Sequence, residues 1–304
     1  MSNPKPRVSD EQALGFLKSL TNWGRFGEGD QLGTLNLITA EKRRAAAALV
    51  RSGRTVSCAR PLPTQPAEDN PSPVTHHMIG THTEGWGGDY FAMATHGLAI
   101  SHIDALCHIF HEGRLYNGYS TERVTAHGAL ELGIHALRDG IVSRGVLLDI
   151  PRTRGVDFLE PGDPIFLEDL ERAETAAGLR VESGDVLFVA TGRWAARDVK
   201  GPGKMGQPMA GLDVSCLPWL HERGVAALGS DGISDLIPPR VGGIGIPIHT
   251  VAIVAMGLHL LDNLELATLA QACAEEERWE FLITIAPLVL THGTGSPVNP
   301  IALF

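Results

Sequence analysis

Two compact apolar runs, Val146-Leu-Leu-Asp-Ile150 and Val186-Leu-Phe-Val-Ala-Thr191, bracket a stretch from Phe166 to Ala177 whose apolar residues recur at helical spacing. A run that is apolar at nearly every position has both faces covered, as an inner strand of an α/β sheet does. Strand, helix and strand in succession therefore predict an α/β fold around a mixed sheet core. Val225-Ala-Ala-Leu-Gly-Ser230 reads as a third inner strand, Val251 to Met256 as a buried helix, and Phe281 to Leu290 as a closing strand.

The chain has 304 residues, 43% apolar and 20% charged, enough for a sizeable core. With no linker, charge block or repeat, it reads as one domain over 1–304 carrying a helical and loop extension at about residues 1–50. Within the extension Ser9, followed by Asp10, Glu11 and Gln12, marks a capped amphipathic helix. Asn22 to Asn36 is a glycine-rich loop, and Thr39 to Val50 an alanine-rich helix. The net charge of −10 and the lack of a basic stretch exclude nucleic acid as a partner. Cys58, Cys107, Cys216 and Cys273 form no C-x-x-C pair, and the opening MSNPKPRVSDEQ lacks an apolar leader, so the expectation is a cytoplasmic protein with reduced thiols. Between Arg240 and Asp262 lie 21 residues without a charge. Gly242, Gly243, Gly245, Pro247, His249 and His259 interrupt them, which predicts a glycine-rich loop feeding a buried helix and no membrane span.

Eight of the 13 histidines fall between His76 and His127, where even spacing would put about two. At the centre lies His96-Gly-Leu-Ala-Ile-Ser-His102-Ile-Asp104-Ala-Leu-Cys-His108. In an extended segment residues two apart face the same way, so His102 and Asp104 present an imidazole and a carboxylate side by side, a metal-ligand pair. A helical turn after Asp104 would bring His108 onto the same face. The competing reading makes Asp104 a helix cap and the histidines satisfied core residues.

The run His102-x-Asp104-x-x-x-His108, followed by Phe110 and Gly113, resembles the signature H-x-x-x-H-x-D-x-x-x-H of the cyclase and kynurenine formamidase-like family of metal-dependent hydrolases. Asn22-Trp-Gly-Arg, Arg144-Gly-Val-Leu-Leu-Asp149, Gly184-Asp-Val-Leu, Thr191-Gly192 and Gly293-Thr-Gly-Ser-Pro-Val-Asn-Pro300 extend the resemblance from residue 22 to the C-terminus. It implies a swivelling β/β/α fold, a homodimer or homotetramer, and one or two divalent ions, Zn²⁺ or Mn²⁺, hydrolysing small amides, formamides or lactones. By position His102 and Asp104 match metal ligands, and His108 matches the catalytic acid/base. The first family ligand is replaced by Leu98, and the nearest histidine, His96, lies six residues before His102. Extended, that is about 20 Å, so joint ligation needs a bend, which Gly97 permits.

The family's second cluster is a His and, twelve residues on, a Glu. Here His249 is followed after thirteen residues by Asp262. On a straight helix the two would lie about 19 Å apart on opposite sides. A helix ending at Met256, with Gly257 as a left-handed cap, would let Leu258 to Leu261 return extended and carry Asp262 back to His249. Otherwise Asp262-Asn263 is a turn and His249 a capping residue.

Gly201-Pro-Gly-Lys-Met-Gly206 fits the dinucleotide fingerprint by letters but follows no strand, and no G-x-S-x-G elbow exists. Cys107, between apolar neighbours, reads as packing. The expected function is hydrolysis of a small C–N or C–O carbonyl compound by water made acidic on a divalent ion, with His108 moving the proton. Trp23, Phe26, Trp86 and Phe91 are candidates for an apolar substrate wall. Cyclisation or dehydration on the same site, or a metal-free binding scaffold marked by Leu98, are the alternatives.

Overall fold

The inner apolar runs pair as the parallel centre of a nine-stranded mixed sheet in a computed structural model that describes residues 7–304. Residues 1–6, part of the opening stretch read for a leader, lie outside the described residues. In chain order the strands of three or more residues are β1 (Thr55–Ser57), β2 (Thr75–Gly80), β3 (Gly88–Ala92), β4 (His102–Asp104), β5 (Ile141–Asp149) and β6 (Val186–Ala190). They continue with β7 (Ala227–Ser230), β8 (His259–Asp262), β9 (Glu280–Ile285), β10 (Gly295–Pro297) and β11 (Ile301–Leu303). The large sheet runs β1-β11-β9-β5-β6-β7-β8-β4-β10. Strands β5 to β8 are mutually parallel, and the flanking pairs are antiparallel. Every residue of β4, β6, β7 and β8 is buried, as doubly covered strands require. This is the mixed α/β architecture expected from the sequence. The closing strand is shorter than its apolar run: β9 stops at Ile285, and Leu288 to Leu290 lie exposed beyond Pro287.

Helix α1 (Asp10–Ser19) starts at Ser9, whose Oγ accepts the Gln12 N–H at 3.2 Å while Gln12 Oε1 accepts the Ser9 N–H at 2.9 Å. Helix α2 (Ala40–Ala47) packs on β5, and α1 packs on the 250–256 helix, so the N-terminal segment covers the core. Asn22 Nδ2 donates to Met256 O and Trp23 Nε1 to Val254 O, fixing the glycine-rich loop on that helix. Helix α3 (Leu167–Ala177) fills the predicted place between β5 and β6. Among the described residues no helix is long and apolar enough to cross a membrane.

The charge-free stretch forms a helical turn, Pro247–His249, running into a fully buried π-helix over Thr250–Met256. Such π-helical turns are rare and concentrate at functional sites. The helix ends at Gly257, whose φ of +65° reverses the chain into β8. A Cβ at Gly257 would meet Tyr116 Cε2 at 2.4 Å and Gly33 Cα at 2.9 Å, so this turn needs glycine for both its angle and its space. Gly178 has the same φ with nothing within 4 Å. Gly257→Ala should therefore cost about 3 kcal/mol, left-handed strain plus overpacking, against about 1 kcal/mol for Gly178→Ala, measured by urea unfolding. Equal costs would refute the steric reading.

Candidate metal centre

Cross-strand pairing builds the first part of the centre. Asp262 in β8 stands opposite His102 in β4, and partners directly opposite project to one side of a sheet. Asp104, two residues on from His102, joins them, as the extended reading predicts. His102 Nε2 lies 3.4 Å from Asp104 Oδ1. Its other nitrogen, Nδ1, faces Ile100 O at 2.8 Å, which fixes the ring and leaves Nε2 for the centre.

The Gly257 reversal supplies the second part. His249, at the head of the π-helix, places Nε2 3.3 Å from Asp262 Oδ2 and 3.5 Å from Asp104 Oδ2. Its Nδ1 is 2.6 Å from Asp235 Oδ2, and Asp235 also accepts the backbone N–H groups of Ile248 and His249. A carboxylate on the remote nitrogen sets the tautomer and makes Nε2 a better ligand. Sequence reasoning missed Asp235, which sits 14 residues before His249 with no motif to mark it.

His96 completes the cluster. Gly97, with φ +149°, lies in a compact turn from His96 to Ile100, and His96 Nδ1 lies 3.0 Å from Asp104 Oδ1. His96 Nε2 is 3.0 Å from Thr294 Oγ1, a second supporting contact the sequence did not signal. Leu98, at the position of the family's first ligand, is buried and offers no ligand atom. Two residues clamp the turn. Asn263 Nδ2 donates to Gly97 O and Ile100 O, and the Arg193 guanidinium donates to Leu98 O at 2.5 Å and to Asn263 Oδ1.

His96, His102 and Asp104 form one group, and Asp104, His249 and Asp262 another, with ligand atoms in each within 4.8 Å of one another. Asp104 belongs to both. Asp104 Oδ1 and Oδ2, Asp262 Oδ1 and His96 Nδ1 are buried without a hydrogen-bond partner. Orphaned acceptors facing one another in the interior are costly, and a cation satisfies them together. Burial opposes charge on His249, yet Asp262, Asp104 and Asp235 raise its affinity for a proton well above that of an ordinary imidazole. Burial opposes ionisation of Asp104 too, but His102, His249 and His96 hold its carboxyl well below the usual range. The site is therefore an electronegative hollow of nitrogen and oxygen donors, and it fits a divalent ion.

His108 reaches the centre by a route other than the helical face predicted for it. The chain after Asp104 makes one turn, with the His108 N–H donating to Ala105 O, and then leaves. The His108 ring instead stacks on His96, centroids 3.7 Å apart and planes 3° from parallel. Burial pushes His108 down to about 4, so it is neutral at pH 7 and able to accept a proton. Burial pushes the Cys107 thiol up to about 12, which removes it as a nucleophile.

The aromatic candidates lie on two different segments. Trp23 is anchored to the π-helix and Phe26 lies under the Arg25 guanidinium, whereas Trp86 and Phe91 stand exposed on the β2–β3 hairpin. Among the described residues no ring contact joins these two places. Ring type carries no information on which element a ring lies against.

Asp235→Asn keeps the shape beside His249 and removes the charge. It should weaken Zn²⁺ binding roughly 10–100-fold, measured by competition with a chromophoric chelator. Unchanged affinity would show that Asp235 does not tune His249.

A family profile described as "Putative cyclase" matches residues 44–234. No match was found among curated proteins. A solved structure described as a novel cyclase is 30% identical, with a TM-score of 0.84 over 95% of this chain and 99% of that one. Isatin hydrolase A from Ralstonia solanacearum is 21% identical, TM-score 0.60, over 87% of this chain and 97% of that one. A protein named as a predicted metal-dependent hydrolase from Bacillus stearothermophilus is 15% identical, TM-score 0.52, over 83% and 98%. The last two share the fold. The profile covers more than half of the chain and the 30% identical cyclase nearly all of it, so this chain belongs to the cyclase family of enzymes.

Proposed function

We propose that the protein is a metal-dependent hydrolase of small carbonyl compounds, cleaving the C–N or C–O bond of an amide, formamide or lactone. The observation that carries this reading is the gathering of buried, partnerless acceptors from Asp104, Asp262 and His96 into two His/Asp groups that share Asp104. His96, His102, Asp104, His249 and Asp262 would hold the ion, with Asp104 shared between the two groups. A divalent ion there supplies a Lewis acid that acidifies water and draws charge from the carbonyl oxygen. Nitrogen and carboxylate donors suit Zn²⁺ and Mn²⁺ alike.

The chain's own residues do the remaining work. His108, neutral and stacked on His96, takes the proton from the attacking water and delivers it to the departing nitrogen or oxygen. Asp235 and Ile100 O orient His249 and His102 before substrate arrives, so no ligand reorients during the reaction. Ring closure is the reverse of ring opening and uses the same groups. The isatin hydrolase of similar fold supports a cyclic amide as one substrate to try.

The reading includes a homodimer or homotetramer. It is supported by the β2–β3 hairpin, a two-stranded unit on which Met78, Ile79, Trp86, Tyr90 and Phe91 are all exposed, Ile79 at 61%. Isolated hairpins are marginal in water, and apolar groups on this scale mark association surfaces. Phe91→Asp should lower the mass found by sedimentation equilibrium, and a monomeric parent protein would refute the expectation.

The decisive assay is hydrolysis of a panel of formanilides, lactones and cyclic amides by protein loaded with Zn²⁺ or Mn²⁺. Chelation should abolish turnover and the ion restore it; inactivity in every loaded form rejects the proposal. His108→Ala should leave metal content near normal while lowering turnover at least about a hundredfold. Unchanged turnover would reject the assigned role.

A further inference from the structure

A cavity of about 330 Å³ lies outside the metal-ligand cluster, beside the turn that carries His96. Leu98 and Asp69 line both this cavity and a smaller one, about 220 Å³, that reaches His96. Strand β6 leads through Thr191 and Gly192 into helix α4 (Arg193–Lys200), and this helix with the 201–210 loop forms much of the larger cavity's wall. Leu98, Leu159 and Met209 supply apolar surface. Arg193, Arg197, Lys200 and Lys204 supply four cations against the one lining carboxylate of Asp69, in a chain whose net charge is −10.

Two of the four cations are already matched. Arg197 grips Asp69 through Nε at 2.5 Å and Nη2 at 3.0 Å, and Lys200 Nζ lies 2.6 Å from Glu160 Oε2. Arg193 and Lys204 are not. The Arg193 guanidinium donates only to the carbonyl oxygens of Leu98, Asp231 and the Asn263 side chain. Among the described residues no carboxylate oxygen comes within 4.0 Å of either side-chain cation. The carboxylates of Asp231, Asp69 and Asp262 act on the Arg193 charge only from beyond that distance, so the guanidinium keeps its charge without a direct ion pair, and four lining cations against one lining carboxylate favour an anion.

We infer that this cavity binds a small organic anion, a carboxylate on an apolar body. The carboxylate pairs with Arg193 and Lys204, and the body lies against Leu98, Leu159 and Met209. A planar guanidinium matches carboxylate geometry, and the apolar side rewards a ligand larger than a bare ion. This also gives the loop Gly201-Pro-Gly-Lys-Met-Gly206 a role: it carries Lys204 to the cavity. The inference does not depend on the hydrolase reading, because it concerns binding outside the metal ligands.

Calorimetric titration of the full-length, metal-loaded protein with benzoate, benzamide and inorganic phosphate tests it. Benzoate should bind saturably and benzamide, of the same shape without the charge, about tenfold more weakly or worse, the loss of one charge-assisted pair. Phosphate should compete poorly. Ala196→Trp, which adds bulk to the cavity wall from α4, should abolish benzoate binding with metal content unchanged. Lys204→Glu, on an exposed loop, should weaken it about tenfold or more and serves if the tryptophan variant fails to fold. Equal binding of benzoate and benzamide, phosphate competing as well as benzoate, or benzoate binding that survives both substitutions would overturn the inference. Survival in both variants would place the carboxylate on the metal ligands instead.

Discussion

Three buried carboxylates in one small volume are the constraint that the surrounding structure answers. Asp104, Asp262 and Asp235 lie around His249, all of them almost wholly removed from water. Like charges at this depth repel and lose their hydration, so they stand only where imidazoles, backbone donors or a cation offset them. His102, His249 and His96 surround Asp104, and Asp235 accepts two backbone N–H groups besides the His249 ring. What these contacts leave unsatisfied, chiefly both oxygens of Asp104 and one of Asp262, lies in the groups that could hold a cation.

The fold brings these groups together with little machinery. One antiparallel pairing, β4 on β8, fixes His102, Asp104 and Asp262, and one left-handed glycine brings β8 back along the helix that carries His249. Both features lie in the interior, where close packing of Gly257 against Gly33 and Tyr116 leaves no freedom to drift. The His96 turn is held differently, by side chains: Asn263 and Arg193 bind its carbonyl oxygens. Arg193 thus works on two sides at once, holding the turn and lining the neighbouring cationic cavity.

Family membership and site geometry are complementary. The cyclase family follows from the sequence match and the 30% identical structure. The donor arrangement, however, departs from the family's spacing at Leu98, and only the folded turn shows that His96 Nδ1 arrives beside Asp104 by another path. Chain segments of different length can bring a nitrogen beside the same carboxylate, because a contact depends on where the atom ends and not on the spacing that delivers it.

Much of this was legible beforehand. Apolar runs gave the inner strands because burial on both faces excludes polar residues, Ser9 and Gln12 announced their helix by local hydrogen bonding, and His102 with Asp104 followed from the period of an extended chain. The Gly257 reversal was readable because few residues other than glycine accept a left-handed backbone. By itself, then, the sequence determined what local geometry governs: element types, one turn, and the pair two residues apart. Tertiary structure decided the rest: the stacking of His108 on His96, the support of His249 by Asp235, the grip of Arg193 on Leu98, and the anchoring of Trp23 on the π-helix. Each of these depends on side chains far apart along the chain, whose meeting is set by how the sheet and its covering segments pack, and no local periodicity encodes that.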